Sequence, residues 1–485
     1  MTKVRTPILI LLTCALGCER DLLLKAGDSG VSEEIADASA DAGSAADAEA
    51  VADAGPVPRG SSWAKSLAEL GDSTSVAIDS RGNVLVGGMF AGTVDFGSGP
   101  RTPPGMPNVN FWSPYVAKYS PDGALVWVLT FQGFTLNQDG RGVRLAVTPD
   151  DGVVLSGAYH GALDLGKGPL PFDGDSFDLF LAKFDRDGTP LWSRGFPAPA
   201  YQGPSDVVAD SQGSIWLTGV FKGSVDLGTG PLVQRPSAHG GDFFVAKFGA
   251  DGQTLLATRF GGDGDDSSYG LGLAPDDGVV VVGGFSAELD LGAAGKLTAA
   301  DGFAYDGFVL RLGPTGEVRW GKSIGGDANR KVATAAAFDH QGEVLVSGVF
   351  AGSLSSLGEP ALVSSGPGME SFAVKLSGEG EPRWKVGLGD VVSSTALIRR
   401  PFAVDALDRL HYWTRNDPEP VLRRTLLGPD GAILMEDART SGAQVASVAV
   451  SDDAYVLCGT AQGSLGFEVP ESPANGRLFV ARILR

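Results

Sequence analysis

Acidic side chains are the most abundant candidates for chemistry in this sequence, and two groups of them stand at close spacing. Each group falls in a short polar segment: Asp263, Asp265 and Asp266 in one, and Asp173, Asp175 and Asp178 in the other. Closely spaced oxygen ligands suit Ca²⁺, but neither segment has the bidentate Glu at position twelve of an EF-hand loop. We interpret both segments as surface loops, with calcium binding as the weaker alternative.

Other patterns of catalytic residues are missing from the sequence. The four histidines have no second His or Cys at the spacing of a metal site; they are His160, His239, His340 and His411. No Gly-x-Ser-x-Gly nucleophile elbow and no phosphate-binding Gly-Lys-Ser/Thr loop occurs. We therefore predict no catalytic residues, no metal ligands and no cofactor.

A segment near the C-terminus combines cations with aromatic side chains, which are the residue types that most often anchor interfaces. Its candidate binding residues are Arg399, Arg400, His411, Tyr412, Trp413 and Arg415. The alternative interpretation of this segment is a solvated surface without a ligand.

The overall charge limits the classes of partner. The formal net charge is -20 and the pI is near 4.6. Nucleic acids and anionic membrane surfaces require a basic footprint on the protein, so we exclude both as binding partners.

The first 18 residues have the parts of a secretory signal peptide. Lys3 and Arg5 precede the apolar run at residues 8–16, which is too short to span a bilayer. The sequence Ala15-Leu16-Gly17-Cys18 resembles the bacterial lipobox, in which the Cys thiol is acylated and becomes the new N-terminus. We predict lipidation at Cys18, export across the inner membrane and attachment to the cell envelope, at the outer membrane or the cell surface. An ordinary signal peptide with an incidental Cys is the alternative.

Residues 19–60 have a different composition. No basic residue occurs between Lys25 and Arg59, and Ala, Asp, Glu, Ser and Gly dominate. Such a segment cannot bury enough apolar surface to offset its chain entropy. We predict a disordered tether that holds a folded domain, residues 61–485, away from the membrane. Within that domain Cys458 lies alone in an apolar run, so we expect a buried hydrophobe and no disulfide framework.

A repeat of roughly 64 residues begins near residue 62. One marker is a Trp in a predicted strand that follows a turn, at Trp63, Trp127, Trp192, Trp320 and Trp384, with Leu256 where one Trp is missing. Each copy contains four short runs that we predict to be strands, named A to D in chain order. The turns that join them carry Gly beside Asp, Asn or Ser, as tight hairpins require. Four antiparallel strands per copy are typical of a propeller blade.

The two ends of the array indicate how it closes. It opens with a lone D strand at Trp63–Leu67 and ends with a C strand at Leu478–Leu484. Counted in this way the array has seven blades, of which the sixth is degenerate. We predict an all-β, seven-bladed β-propeller of four-stranded antiparallel blades, closed by pairing of N-terminal strand D with C-terminal strands A to C. That closure would remove exposed sheet edges.

The copies resemble the SBBP-type β-propeller repeat of bacterial secreted and cell-surface lipoproteins. The best-matching stretches are Gly261–Asp266 through Gly283-Gly284-Phe285, and Gly241–Phe248 followed by Asp251-Gly252. The resemblance implies an extracytoplasmic location and no single defined activity.

Recurrence separates architecture from candidate function. We interpret the Lys or Arg of strand C as structural, because it recurs at Lys118, Lys183, Lys247, Arg311, Lys375 and Arg482. The B–C connections are long and variable, and they share one face of a propeller with the D–A connections. Since connections on a rigid scaffold often carry function, we expect binding on that face or in blade six.

These observations predict a non-catalytic, lipid-anchored propeller, monomeric, that binds an envelope protein or a glycan and touches the membrane only through its lipid. The alternative is a polysaccharide-acting enzyme with a carboxylate pair near the central pore.

Overall fold

The computed structural model describes residues 61–67, 71–103, 112–134, 142–173, 176–235, 240–300, 305–366, 368–392, 402–416, 421–461, 465 and 478–485. The predicted leader with Cys18, the predicted tether, and Arg399 and Arg400 lie outside these residues.

Seven antiparallel sheets, each with four blade strands, follow one another along the chain, as the repeat predicts. Blade one has strands A to D at Gly71–Ile78, Val84–Phe90, Ser113–Tyr119 and Leu125–Thr130. Blade two has them at Arg144–Val147, Val153–Asp164, Asp178–Phe184 and Pro190–Phe196. Blade three has them at Gln202–Ala209, Ile215–Phe221, Asp242–Phe248 and Thr254–Phe260. Blade four has them at Asp266–Leu273, Val279–Ser286, Tyr305–Leu312 and Val318–Ile324.

Blades six and seven depart further from the repeat in sequence, but all three remaining blades keep the same order of strands. Blade five has strands A to D at Lys331–Phe338, Val344–Phe350, Met369–Leu376 and Pro382–Val392. Blade six has them at Phe402–Val404, Leu410–Asn416, Val421–Leu427 and Ile433–Thr440. The seventh sheet has Ala443–Val450, Ala454–Ala461 and Leu478–Leu484, with Trp63–Ser66 beside the last of them. In that pair Trp63 lies opposite Arg482.

The A strands form the innermost layer. Those of neighbouring blades contact one another around a complete ring, from blade one to blade seven and back. Side chains join them: Ser447 Oγ accepts a hydrogen bond from Val76 N at 3.3 Å, and Asp206 Oδ2 accepts one from Leu271 N at 2.6 Å. The all-β, seven-bladed propeller predicted from the sequence is therefore confirmed.

The tight turns between strands A and B of blades one, three, five and six each depend on one acidic side chain. Asp79 Oδ1 accepts hydrogen bonds from Arg81 N and Asn83 N, both at 2.9 Å, and Gly82 has a φ of 79°. A left-handed φ of this kind favours Gly, because Gly has no Cβ to clash. The same carboxylate hydrogen bonds occur at Asp210, Asp339 and Asp405, and in the last of these turns Asp408, with a φ of 58°, stands in place of the Gly.

The B–C connections contain a recurring small hairpin that we name the rim hairpin. Its two strands are Val94–Asp95 and Pro100–Arg101 in blade one, Ser224–Asp226 and Pro231–Val233 in blade three, Glu288–Asp290 and Lys296–Thr298 in blade four, and Ser353–Leu354 and Leu362–Val363 in blade five. A short 3-10 helix at Gly292–Ala294 caps the blade-four hairpin. In blade two strand B itself runs on to Asp164, which bridges to Pro169, and Gln132–Phe134 pairs with this extension.

The rim hairpins correct the expectation that the B–C connections are variable loops. Asp226 Oδ1 accepts hydrogen bonds from Gly228 N at 2.7 Å and Gly230 N at 3.1 Å, while Val225 and Leu227 are buried. The same caps form at Asp95 and Asp164. Blades diverge as they leave the axis, so each outer wedge between neighbours needs filling. The sequence signal was Asp-x-Gly-x-Gly-Pro at residues 95–100, 164–169 and 226–231.

Candidate functional site

The recurring cation of strand C is structural, as its recurrence predicts. Lys118 Nζ lies 2.8 Å from Asp79 Oδ2, and both side chains are buried. The same Nζ donates to the carbonyl of Arg186 in the next blade at 3.1 Å. Equivalent buried pairs join Lys247 to Asp210 and Lys375 to Asp339. This cation ties an A–B turn to the C–D turn of the neighbouring blade and is not free to hold a ligand.

The recurring Trp of strand D forms a second contact between neighbouring blades. Trp127 Nε1 donates to the carbonyl of Arg186 at 3.1 Å, and its ring covers Gly188, where a Cβ would stand 3.2 Å from ring carbon Cδ2. Equivalent Trp–carbonyl bonds occur at Trp63, Trp192, Trp320 and Trp384. Chemistry specific to this protein must therefore be sought where a blade departs from these contacts.

Blade six differs from the other blades in the ion pair between strand C and the A–B turn. Strand C has Leu426 at the position of the recurring Lys or Arg, and the residue opposite it on strand B is His411. His411 is fully buried, with Nε2 2.9 Å from Asp405 Oδ2. Arg409 Nε donates to the same oxygen at 2.8 Å, and the C-terminal Arg485 donates to it as well. The imidazole and two guanidinium groups replace the single Lys of other blades.

This arrangement shifts the pKa values of both partners downward. Burial alone would oppose ionisation of Asp405, but hydrogen bonds from Arg409, His411 and the turn backbone outweigh it and hold the carboxyl pKa well below its usual range. Burial lowers the pKa of His411 to about 4, despite the hydrogen bond to Asp405. At neutral pH the imidazole is uncharged and donates its Nε2 proton to an ionised carboxylate.

The aromatic candidates of blade six lie between blades. Trp413 packs edge-on against Tyr455 of blade seven, with ring centroids 6.2 Å apart, and Arg424 covers the same Tyr455 ring at 4.1 Å. Tyr412 belongs to the core shared with blade five. These two candidates and His411 are buried, while nothing is described of the Arg415 side chain. The predicted grouping is thus split across two blade junctions, and ligand binding by it stays a prediction.

The exposed departure of blade six is its outer strand, which sequence reasoning missed. Ile433 and Met435 are 48% and 43% exposed, whereas the equivalent residues of blade three, Thr254 and Leu256, are half-buried. Met435 stands at the position of the recurring Trp, but in the seventh sheet the corresponding C–D turn is divided between the two chain ends. The available signal was the short B–C connection of this blade, residues 417–420 only.

Blade four differs from its neighbours in the first residue of strand A. Asp266 is fully buried there, where the neighbouring blades have Gln202 and Lys331, and Asp242 of blade three is buried beside it. Asp266 Oδ2 accepts a hydrogen bond from Gly262 N at 2.7 Å, while Asp242 Oδ2 lies 2.8 Å from Arg259 Nη1. Oδ1 of each acid has no hydrogen-bond partner among the described residues.

The pair favours a neutral acid. Burial raises the pKa of Asp266 to about 8; the hydrogen bond from Gly262 opposes this shift, and the charges of Asp242 and Asp265 add to it. Two like charges in a desolvated site cannot both ionise readily. The sequence had selected Asp266 only as part of an acidic loop, and Asp242 was missed because it lies in another blade.

A third departure lies on the face from which the B–C and D–A connections emerge. Arg330 covers the ring of Tyr305, with Cζ 4.7 Å from the ring centroid, and Tyr305 fills the space left by Gly284. Tyr269, the extra residue of a bulge in strand A, adjoins them. Burial, followed by Tyr269 and Asp265, raises the pKa of the Tyr305 phenol well above its usual value, so it stays protonated. We name Tyr269, Tyr305 and Arg330 the blade-four aromatic group.

The acidic loops that prompted the calcium alternative have local structural partners. Asp178 accepts hydrogen bonds from Asp173 N at 2.8 Å and Ala198 N at 2.9 Å, and Asp175 lies outside the described residues. Within the described part of the chain, no group of three or more His, Cys, Asp or Glu side chains is placed to hold a metal ion. No helix among those residues is long and apolar enough to cross a membrane.

Comparison with known proteins does not identify a family for this chain. No family model matches the chain, and no curated protein matches it in sequence. A catalytically inactive virginiamycin B lyase from Staphylococcus aureus is 8% identical, with 87% of this chain and 100% of that chain covered and a TM-score of 0.42. An ulvan lyase is 13% identical, with 85% and 94% covered and a TM-score of 0.44. A protein of unknown function from Bacteroides caccae is 11% identical, with 67% and 89% covered and a TM-score of 0.34. The class of protein follows instead from the order of the strands and the ring of A strands: it is a seven-bladed propeller with four-stranded blades.

Proposed function

We propose that this chain is a non-catalytic binding scaffold of the bacterial cell envelope, and that it presents the face with the B–C and D–A connections to a protein or a glycan. The observation that carries the proposal is the blade-four aromatic group. Tyr305 and Arg330 are partly exposed on that face, with Asp265 close by. A ring, a guanidinium and a carboxylate together offer apolar contact and hydrogen bonds to hydroxyl or peptide groups.

The alternative, a polysaccharide-acting enzyme, would need a reactive group that substrate can reach. The strongest carboxylate pair, Asp242 and Asp266, is fully buried. The Tyr305 phenol has a raised pKa, which makes it a hydrogen-bond donor and a poor base. These properties favour binding over catalysis.

The test is binding of the folded protein to purified envelope polysaccharides and to solubilised envelope proteins. We expect Arg330→Ala and Tyr305→Ala to weaken binding about tenfold, since each removes one anchoring contact. Arg319→Ala is the matched control, because Arg319 lies on the outer strand of the same blade and pairs with Asp276. Chain cleavage of a polysaccharide that Asp266→Asn abolishes would instead support the enzyme.

We further propose that the chain is an SBBP-type lipoprotein, acylated at Cys18 and held off the membrane by residues 19–60. The lipobox-like Ala15–Cys18 sequence supports this. Radiolabelled fatty acid should enter the wild-type protein in a bacterial host and be lost in Cys18→Ala. Equal labelling of the two would contradict the anchor.

The N-terminal strand is also proposed to lock the ring. Four residues, Trp63 to Ser66, lie in register with Leu478–Leu484, and Trp63 Nε1 reaches the carbonyl of Pro121 at 3.1 Å. Deleting residues 61–67 should lower the melting temperature by several degrees, because the seventh sheet would lose its outer strand. An unchanged melting temperature would show that the inner strands suffice.

A further inference from the structure

Strand C of blade six carries Arg424 at a position that is apolar in every other blade. Arg424 lies opposite Trp413 of strand B, as Val116 lies opposite Gly87 in blade one. The equivalent residues are Val116, Leu181, Val245, Val309, Ala373 and Val480, and all are fully buried. Arg424 points toward the next blade as they do, but it is partly exposed. A cation has thus replaced an apolar side chain of the core.

The Arg424 guanidinium forms no ion pair among the described residues. Its Nη2 donates to the hydroxyl of Tyr455 in blade seven, and its Cζ lies 4.1 Å from the centroid of that ring. Its Nε is buried without a hydrogen-bond partner in the described part of the chain. Asp437 lies opposite Arg424 on strand D, but its carboxylate accepts a hydrogen bond from Arg439 Nε at 2.9 Å. Burial lowers the pKa of Arg424, and the charge of Arg485 adds to this shift.

Two further guanidinium groups lie beside Arg424, and they share one acid. Arg485 also covers the Tyr455 ring, with Cζ 5.5 Å from its centroid. Arg485 and Arg409 both donate to Asp405 Oδ2. We name Arg409, Arg424 and Arg485 the blade-six arginine cluster. Since a desolvated charge is costly unless an opposite charge balances it, three guanidinium groups around one carboxylate call for a further anion.

The blade-six arginine cluster can be reached from the face that carries the A–B and C–D turns. Arg409 belongs to the A–B turn of blade six, and Arg485 follows strand C of blade seven, where other blades have a C–D turn. The side chains of Arg409 and Arg485 are 27% and 14% exposed. The turns at this end of the two blades, residues 405–409, 428–432 and 451–453, all belong to the described part of the chain.

We propose that the blade-six arginine cluster binds a phosphate or sulfate group. Arg suits such oxyanions, because its planar guanidinium donates parallel hydrogen bonds. Arg424 Nε is a donor in need of an acceptor, and the Tyr455 hydroxyl, which accepts from Arg424, can donate its own proton. A group with two negative charges would supply the counter-charge that Asp405 alone does not. This inference goes beyond the proposed function, since the cluster and the blade-four aromatic group lie on opposite faces of the ring.

The test is isothermal titration calorimetry of the full-length protein with sodium phosphate at constant ionic strength, which holds non-specific screening fixed. Saturable binding is expected. Arg424→Val should weaken it about tenfold or more, because it removes a cation and its donors. Val occupies this position in blades one, three and four, so the variant should fold. Arg383→Ala is the matched control: Arg383 is 53% exposed on strand D of blade five and pairs with Glu343, so its loss removes the same charge without changing the affinity.

Inorganic sulfate and glycerol 2-phosphate distinguish the source of the group. Tighter binding of the ester than of inorganic phosphate would indicate a phosphorylated ligand, and binding of the inorganic ions alone would indicate a free ion; either supports the proposal.

Three results would overturn the proposal: no saturable binding of any of the three probes, equal binding by Arg424→Val, or an equal loss in Arg383→Ala. If Arg424→Val fails to fold, Arg424→Gln provides the same comparison. Because Arg330→Ala should leave phosphate binding intact, failure of this site and failure of the proposed function are distinguishable.

Discussion

Blade six and the junction between blades three and four both bury ionisable groups, yet they hold them in opposite states. Asp405 receives hydrogen bonds from two backbone N–H groups, an imidazole and two guanidinium groups. Asp266 receives one backbone hydrogen bond and faces Asp242. A buried carboxylate stays ionised only where donors replace the water it has lost.

The difference follows from their places in the repeat. Asp405 occupies the recurring A–B turn position, where a cation is always supplied, so exchange of Lys for His411 keeps the acid ionised. Asp266 occupies a position where successive blades have Gln202, Asp266 and Lys331, and the repeat supplies no partner there. An acid thus stays ionised where the surrounding residues supply cations or other donors, as around Asp405, and is neutral at Asp266, where only one backbone donor reaches it.

Removing the carboxylate of blade six should have the largest effect. Asp405→Ala leaves His411, Arg409 and Arg485 without their acceptor inside the protein. We expect a loss of about 4 kcal/mol in the free energy of unfolding, as for other buried ion pairs that lose one partner. Chemical denaturation at pH 7 measures it.

The matched control is Asp430→Ala. Asp430 is exposed and accepts one hydrogen bond, from Ala432 N at 3.1 Å. Its loss should cost less than about 1 kcal/mol. Equal losses for the two variants would show that the donors around Asp405 do not form a special cluster.

The second effect concerns pH and Asp266. Because its folded pKa, about 8, lies above the ordinary 3.8, the folded state binds one more proton than the unfolded state between those values. Stability therefore falls as pH rises through this window, by about 3 kcal/mol between pH 5 and 7.5. In Asp266→Asn this dependence should vanish, and the variant should be the more stable protein at pH 8.

Asp263→Asn serves as the control for that experiment, since Asp263 is exposed in the same Gly-rich loop. Its unfolding free energy should follow the wild-type pH curve. If Asp266→Asn also follows it, the acid is ionised in the folded protein and the comparison between the two regions collapses.

Most of the fold could be predicted from the sequence because the repeat is long and regular. The C strand predicted at Leu478–Leu484 is observed with the same bounds. Turn residues with fixed spacing, such as Asp122-Gly123, determine strand ends locally. The rim hairpins were missed because two or three residues per strand carry no alternation of polar and apolar residues.

Contacts between blades could not be predicted in the same way. Asp242 and Asp266 are 24 positions apart in sequence and belong to different sheets, so no spacing rule joins them. The cluster of His411, Trp413 and Tyr455 depends on which face of strand B each side chain takes. The Arg-rich and aromatic segment of blade six has the composition of a binding surface, but packing between blades buries the rings of Tyr412 and Trp413.

The smallest predicted effect is the pH dependence of stability that His411 causes in blade six. Its folded pKa, about 4, lies below the ordinary 6.5, so the unfolded state binds the extra proton between these values. Stability is therefore lost as pH falls through this window, by about 1 kcal/mol between pH 6 and 5, which is opposite in sign to the effect of Asp266. His411→Gln keeps a donor for Asp405 and should remove this loss, as denaturation at both pH values would show.

His340→Gln is the control: the hydrogen bond from exposed His340 to Asp408 raises the pKa of the imidazole, so this substitution should leave the acid-side loss in place. A wild-type loss that persists in His411→Gln would mean that the buried imidazole is already charged at neutral pH.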